Sequence, residues 1–431
     1  MYRNKGTITV FLSLISMLFL SLFCTMAESV RVQAARFQAA AAFDMGLFSI
    51  FGEYDRVLLE EYDLWFLDGS SEEQKIREVL ETKLEKYIQP NINPRYNLAA
   101  GRSWDVFPTE LDRCTVDKYA LATDHGGQVF YSQAVENQKE LFVGEAASAL
   151  KKNIKQMEEG HQKGEEYQNE EQKADEEYQR AQAAQMEEKK RQESEKENAE
   201  KQEKSDTDIK ETEAVQAKVE NPLDQIKKIK SMGILGLVLK DGTVFSDKTI
   251  ERKNLPSERN LQKGSLLVNE ISADPVSEAI FLNYLQKHFQ CAIDEGGKHQ
   301  KGSKEHSLSY ELEYIIGGQK SDRENLKKTV NRILLIREGM NYATLAKSAK
   351  MRGEAMALAA AITGAAALPE FAGALQKLLM LAWAYGESLL DVRTLLAKGK
   401  VPMLKAETEW KLPLEKLGML AEVLKECDAG G

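Results

Sequence analysis

Residues 8–27 read ITVFLSLISMLFLSLFCTMA, twenty residues without a charge and rich in Leu, Phe, Ile and Met. As a helix this run spans ~30 Å at 1.5 Å per residue, about the hydrocarbon thickness of a bilayer. Its large apolar residues, Ile8, Val10, Phe11, Leu12, Leu14, Leu18, Phe19, Leu20 and Phe23, form the expected membrane anchor. Arg3 and Lys5 precede the run, whereas Glu28, Arg31, Arg36 and Asp44 beyond it cancel one another. The positive-inside tendency therefore predicts residues 1–7 in the cytoplasm and the bulk of the chain outside it. A cleaved secretory signal shares the basic start, but its apolar core is usually ~7–15 residues long. Thr25-Met26-Ala27 is also a mediocre cleavage site, and the bulky Phe23 before Cys24 argues against a lipoprotein. The expectation is a single-pass protein of the cell membrane with an uncleaved anchor.

Helical spacing continues past the anchor. Val30, Ala34, Phe37, Ala41, Met45 and Phe48 recur at steps of three and four, which predicts an amphipathic stalk ending near Gly52. An anchor running unbroken into a stalk is a pilin-like arrangement, although a first helix of an extracytoplasmic domain explains the stripe as well. Ser70 and Glu73 have capping-box spacing ahead of a helix that buries Ile76, Leu80, Leu84 and Tyr87 and ends at Pro90. Gly126-Gly127 followed by Gln128-Val129-Phe130-Tyr131 predicts a turn and a short strand.

From Lys151 to Glu220 the chain carries 14 basic against 21 acidic residues, seven of its ten surplus negative charges. Large apolar residues are sparse there, and no a/d seam is sustained as a coiled coil requires. Glu-Glu-Tyr-Gln occurs at 165–168 and again at 176–179, eleven residues apart, but two copies do not establish a repeat. Residues 146–221 are therefore expected as a charged low-complexity linker, helical or disordered.

The first extracytoplasmic region is expected over 28–145, and an α-rich domain with a β-hairpin over 222–431. Leu235, Leu237 and Leu239 alternate toward Asp241-Gly242, with Val244-Phe245 beyond, which predicts a hairpin. Tyr310, Leu312, Tyr314 and Ile316 alternate with Ser309, Glu311 and Glu313, which predicts a strand with one buried face. Gly317-Gly318 turns the chain, and Ser321 with Glu324 caps a helix burying Leu326, Val330, Ile333 and Leu334. Ala355 to Leu368 is too short to span a membrane and reads as a buried helix. After Pro369, Phe371, Leu375, Leu378, Ala382, Tyr385, Leu389, Val392 and Leu396 keep helical spacing, and Gly399 and Pro402 end the run. The fold class expected is α+β, predominantly helical, with an anchor, a stalk and small β elements.

Few residues suggest chemistry. Glu387 and Asp391 lie one turn apart, and paired carboxylates can divide acid and base roles when their environments differ. Arg393, Arg332 and Arg337 supply nearby cations, so a structural ion network is the ordinary reading. Asp124-His125 at a glycine turn has no adjacent nucleophile. His288, His299 and His306 with Cys291 match no metal-ligand spacing. Gly317-Gly318 before a helix N-terminus could hold an anion, although a turn needs those glycines anyway. No P-loop, G-x-S-x-G or H-E-x-x-H is present, so no catalytic, cofactor or metal residues are expected. The four cysteines, Cys24, Cys114, Cys291 and Cys427, exclude a disulfide scaffold. Without a basic patch, nucleic acid is not an expected partner.

The segments SYELEYIIGGQKSDRENL at 309–326, LIREGMN at 335–341, AWAYGESLLDVR at 382–393 and GKVP at 399–402 are distinctive. With KGTITVFLSL at 5–14, they resemble the domain-of-unknown-function 5702 family of Gram-positive, mostly clostridial, bacteria. The matching positions are Tyr310, Glu311, Glu313, Tyr314, Ser321, Asp322, Asn325, Arg337, Glu338, Asn341, Trp383, Tyr385, Glu387, Asp391 and Arg393. That family has no established activity, so the resemblance supplies no catalytic residue, and 151–220 look like a variable insert. It implies an association with tight-adherence (Tad-type) pilus or secretion clusters, hence other pilus proteins as partners. It also implies a chain that continues past Gly431. One departure stands out: a prepilin peptidase site after Gly6 would carry Glu where this chain has Phe11. A membrane-anchored binding module or sensor, and a hydrolase using Glu387 and Asp391, are the competing function classes.

Overall fold

The computed structural model describes residues 5–69, 75–92, 96–98, 102–104, 109–139, 145–200, 222–239, 245–251, 253, 255, 263–266, 274–293, 306–364 and 367–429. In chain order its helices are α1 (Lys5–Phe51), α2 (Arg56–Tyr62), α3 (Ile76–Ile92), α4 (Asp124–Lys139), α5 (Glu145–Glu200), α6 (Pro222–Ser231), α7 (Ile234–Val238), α8 (Pro275–His288), α9 (Glu311–Gly317), α10 (Asp322–Lys347), α11 (Ala349–Thr363), α12 (Pro369–Leu396) and α13 (Leu420–Ala429). Among the described residues, the only paired strands are Tyr96–Leu98 and Arg102–Trp104, an antiparallel pair of three residues each. Two such strands form no sheet layer. The small β elements expected from the sequence are therefore corrected: the protein is helical.

Two compact units are present, Met1–Leu141 with Leu255–Asp274, and Phe142–Asn254 with Pro275–Gly431. In the first, α1 runs 47 residues without a break. It is the one helix among the described residues long and apolar enough to cross a membrane, with mean hydropathy 2.3 in its apolar window. Its distal part packs on α3 through Ala39, Ala42, Leu47 and Ile50, beside Leu84, Ile88 and Ile92. A Cβ on Gly46 would meet Ile88 Cγ1 at 2.5 Å, so Gly46 lets the two helices close. The packed face is thus not the predicted one, because Phe37 and Phe48 are 78% and 84% exposed. Pro90 does not end α3 but sits in its last turn, where the Asn91 amide donates to the Tyr87 carbonyl at 2.8 Å. The cap proposed at Ser70–Glu73 lies outside the described residues.

Gln128–Tyr131, predicted as a strand, belong to α4. His125, Gly126 and Gly127 take left-handed φ of 52°, 70° and 90° and reset the chain before the helix proper. The buried Asp124 holds this turn, accepting from Leu121 N at 2.8 Å and from Gly264 N at 3.0 Å.

The second unit is organised on α10. Residues 145–200, read from composition as part of a linker, form the 56-residue α5, which packs along α10 and α12. Its inward face is made of Gly160, Gly164, Tyr167, Ala174 and Tyr178, at helical steps but with no Leu, Ile or Val. A Cβ on Gly339 of α10 would lie 2.2 Å from the Lys163 carbonyl carbon. One on Gly164 would lie 2.8 Å from the Leu335 carbonyl oxygen, so the backbones meet directly. This approach admits Tyr167, 1% exposed, whose hydroxyl donates to the Leu381 carbonyl at 3.0 Å. Tyr178, three turns on, stacks against Phe371 with ring centroids 5.5 Å apart.

Two further strand expectations are corrected. Ile234–Val238 is a short helix with Ile234, Leu235, Leu237 and Val238 all buried, so the alternating leucines do not mark one face of a strand. The Asp241-Gly242 turn lies outside the described residues. Glu311–Gly317 is a helix, and its carboxylates do not face solvent: Glu311 and Glu313 accept from Gln290 N and Ala292 N, each at 3.0 Å. Ile315 and Ile316 are instead 50% and 42% exposed, and Gly318, at φ 62°, ends the turn. The capped helix at Ser321 stands as expected, its hydroxyl accepting from Glu324 N at 3.3 Å. Pro369 opens α12, whereas the Ala-rich segment, expected as a buried helix, forms the end of α11, stops at Thr363 and buries one face through Met351, Ala355 and Ala359.

Gly339→Ala is expected to destabilise the chain by about 3 kcal/mol through backbone overpacking. Gly353→Ala in α11, where a Cβ meets nothing within 4 Å, should stabilise it by up to ~1 kcal/mol. Urea unfolding of the full chain in detergent compares them, and equal effects would contradict the crossing.

Candidate functional site: a buried ion network on α10 and α12

The family-motif residues fall into three groups. At the start of α10, Asp322 and Asn325 are fully buried and satisfy backbone groups. Asp322 accepts from Ser309 N at 2.9 Å, Tyr310 N at 3.1 Å and Ser246 Oγ at 2.6 Å. Asn325 accepts from Gln319 N at 2.7 Å and donates to Gln319 O at 3.2 Å. The Tyr310 hydroxyl accepts from Ser246 N at 3.0 Å. These contacts fix the turn that feeds α10, so no anion is needed to explain Gly317-Gly318.

The second group is an ion network of Arg337, Asn341, Glu387, Ser388, Asp391 and Lys405, all buried. Helix periodicity places Arg337 and Asn341 one turn apart on α10, facing Glu387, Ser388 and Asp391 on α12. Every N–H of Arg337 has an acceptor. Nε and Nη2 donate to Asp391 Oδ2 at 3.0 and 2.7 Å, Nη2 also reaches Asn341 Oδ1, and Nη1 binds the carbonyls of Pro402 and Met403. The Asn341 amide donates to Ser388 Oγ at 2.9 Å and to Asp391 Oδ2 at 3.0 Å. Lys405 pairs with both Glu387 and Asp391. Glu387 further accepts from Lys411 N and Leu412 N, the latter at 2.8 Å. Two cations thus balance two anions, and the network fastens residues 402–412 onto both helices.

Trp383 extends the clamp, its indole N–H donating to the Leu412 carbonyl at 2.6 Å and its ring meeting Trp410 edge-on. The network contains the two carboxylates singled out from the sequence, but their partners are Arg337 and Lys405. Arg332 is exposed. Neither the cavity of about 580 Å³ beside Trp383 nor that of about 770 Å³ between α5, α6 and α12 is lined by Glu387 or Asp391. The arrangement holds residues 402–412 against α10 and α12.

Glu338, next to Arg337 on α10 but turned toward α5 and α6, makes the third group. Burial pushes its carboxyl up to about 8, against the attraction of Lys230 and with added repulsion from Glu171. Lys230 pairs with Glu171 and lies 4.8 Å from the centre of the Tyr385 ring. Burial likewise holds the Tyr167 and Tyr385 hydroxyls above the usual tyrosine range.

Sequence reasoning did not find Lys405 or Tyr167. Lys405 lies 18 residues from Glu387 with no local pattern joining them. Tyr167 had a signal, since the eleven-residue recurrence puts Tyr167 and Tyr178 on one face of a helix. Of the other candidates, His306 Nδ1 lies 2.7 Å from Glu311 Oε1, and His288 packs 4.5 Å from the Tyr284 ring. Cys24 and Cys114 are free thiols, and His299 lies outside the described residues. Among the described residues no three His, Cys, Asp or Glu side chains are grouped for a metal ion.

A helical domain closed by a buried, charge-balanced clamp, with one membrane-length helix among the described residues, is the class these features define. Residues 212–431 match the model of the Family of unknown function (DUF5702), and the chain belongs to that family. No curated protein and no solved structure matches it.

Removing Lys405 leaves two buried carboxylates with one cation, so Lys405→Met should cost about 3–5 kcal/mol in urea unfolding. A loss below ~1 kcal/mol, the value of an exposed pair, would contradict the clamp. Glu338 titrates near 4.5 when unfolded and near 8 when folded, so between those values the folded state holds the extra proton. Stability should therefore fall as pH rises from about 4.5 to about 8 and level off beyond. Glu338→Gln should remove that slope and stabilise the protein at pH 8.5. Unchanged pH dependence would count against the buried carboxyl.

Proposed function

We propose that this chain is a single-pass membrane protein with its folded bulk outside the cytoplasm, acting without catalysis as a pilin-like or accessory component of a Tad-type pilus or secretion apparatus. One observation carries the reading. Helix α1 continues from the uncharged 8–27 span into a stalk with no break, packed on α3 along one face and open along the other. Such a helix transmits the position of an anchor to a folded head, which suits an assembly subunit better than a tethered enzyme. Arg3 and Lys5 support a cytoplasmic N-terminus. A non-catalytic role is supported by the structural partners of Glu387 and Asp391, which are Arg337, Asn341, Lys405 and the backbone amides of Lys411 and Leu412. The partners expected are the membrane itself and other pilus or secretion proteins.

A membrane-anchored binding module is the second reading. It is favoured by the cavity of about 580 Å³ whose wall includes Trp383, Trp410, Glu354, Glu407 and Glu415. Aromatic faces beside carboxylates suit a cationic or glycan ligand.

Crosslinking in native membranes with a C-terminal tag, read by mass spectrometry, separates the two. The assembly reading expects pilins or a membrane platform protein among the captured chains. Recovery of wall polymer, with no pilus or secretion protein, would overturn it in favour of the binding module.

A further inference from the structure

The exposed face of α1 holds a heptad seam. Leu20, Ala27, Ala34, Ala41 and Phe48 recur at seven-residue intervals, and so do Phe23, Val30, Phe37 and Asp44, offset by three. Together they give steps of three and four from within the apolar span to the end of the stalk. A repeat of 3.5 residues is the signature of helices that supercoil left-handedly on one another. The face packed on α3, through Ala39, Ala42, Gly46 and Ile50, lies on the opposite side of the helix. The large residues of the seam are open: Leu20, Phe23, Val30, Phe37 and Phe48 are 64%, 65%, 68%, 78% and 84% exposed, with Ala34 and Ala41 half-buried between them.

We propose that α1 pairs with α1 of a second copy of this chain, parallel and in register, along Leu20–Phe48. The proposal rests on the membrane-anchor reading, because two copies inserted from the same side of one bilayer are held parallel. The seam also carries both halves of a self-complementary contact. In a parallel pair each Phe37 enters the space beside Ala34 and Ala41 of the other copy, and Val30 that beside Ala27 and Ala34. Large knobs alternate with holes made by alanine, so the partner that fits is the same helix. Neither Arg31 nor Arg36 falls on the a or d positions. Asp44 does, and in the pair the two Asp44 carboxylates face each other, which weakens the membrane-distal end of the seam.

The test is disulfide scanning of the full chain in membranes. Cys24, Cys114, Cys291 and Cys427 are first replaced, Cys114 by Ala and the others by Ser. Single cysteines are then placed at 33–42, oxidised, and read as dimer on a non-reducing gel. Maxima at Ala34→Cys, Phe37→Cys and Ala41→Cys are expected, several-fold above Ala35→Cys, Arg36→Cys and Ala39→Cys. Asp44→Leu should raise the dimer yield of Ala41→Cys. Phe37→Glu should lower it, and the exposure of Phe37 keeps that change from unfolding the head. A flat profile, maxima at Ala39→Cys and Ala42→Cys, or crosslinks at 34, 37 and 41 only to a different protein would each overturn the pairing. Alkaline carbonate extraction separates the two failures. A chain retained in the membrane without the pattern defeats pairing alone, whereas a chain released into the supernatant defeats the anchor.

Discussion

The approach of α5 to α10 at Gly164 and Gly339 is the constraint on which the second unit depends. A methyl group on Gly339 would fall 2.2 Å from the carbonyl carbon of Lys163, so the helices cross at backbone contact. Only at that separation does Tyr167 reach Leu381 on α12 and meet Tyr342 edge-on, with ring centroids 5.9 Å apart. The same closeness buries Glu338, whose neighbours Tyr167, Lys230, Glu171 and Tyr385 come from α5, α6 and α12. A polar helix becomes part of the core because two glycines remove what would hold it away.

The clamp around Arg337 and Asp391 solves a different problem. Residues 402–412 contain little regular structure and would have unpaired backbone groups against the bundle. Arg337 satisfies two of their carbonyls, Glu387 two of their amides, and Lys405 neutralises the surplus carboxylate. Each ion is costly to bury alone and is held here by partners on three segments. The network accounts for Arg337, Asn341, Glu387 and Asp391 of the family motifs as supports of the fold.

Much of this was legible in the sequence where the signal is local. The Ser321 cap, the Pro369 start of α12 and the length of α1 follow from neighbouring residues alone. The core face of α5 was not, because Gly160, Gly164 and Ala174 bury backbone rather than large side chains, and hydrophobic patterning does not register them. Only the spacing of Tyr167 and Tyr178 left a trace. Residues 309–316 misled for the opposite reason: their acidic positions, read as solvent-facing, accept buried backbone amides. The clamp was half legible, with both carboxylates and Arg337 in view but Lys405 joined to them only by the tertiary fold. On α1 the helical stripe was visible, but spacing alone could not tell which of two apolar faces meets α3.

That a strongly charged segment serves as a core helix is the claim most open to direct measurement. Amide hydrogen exchange of the full chain in detergent, resolved by peptide, reads it at once. The account predicts that amides of 160–185 are protected to within about tenfold of those of 326–345, since one cooperative unit contains both. Exchange in 160–185 faster by orders of magnitude, with 326–345 still protected, would mean that α5 is a solvated helix and would contradict it.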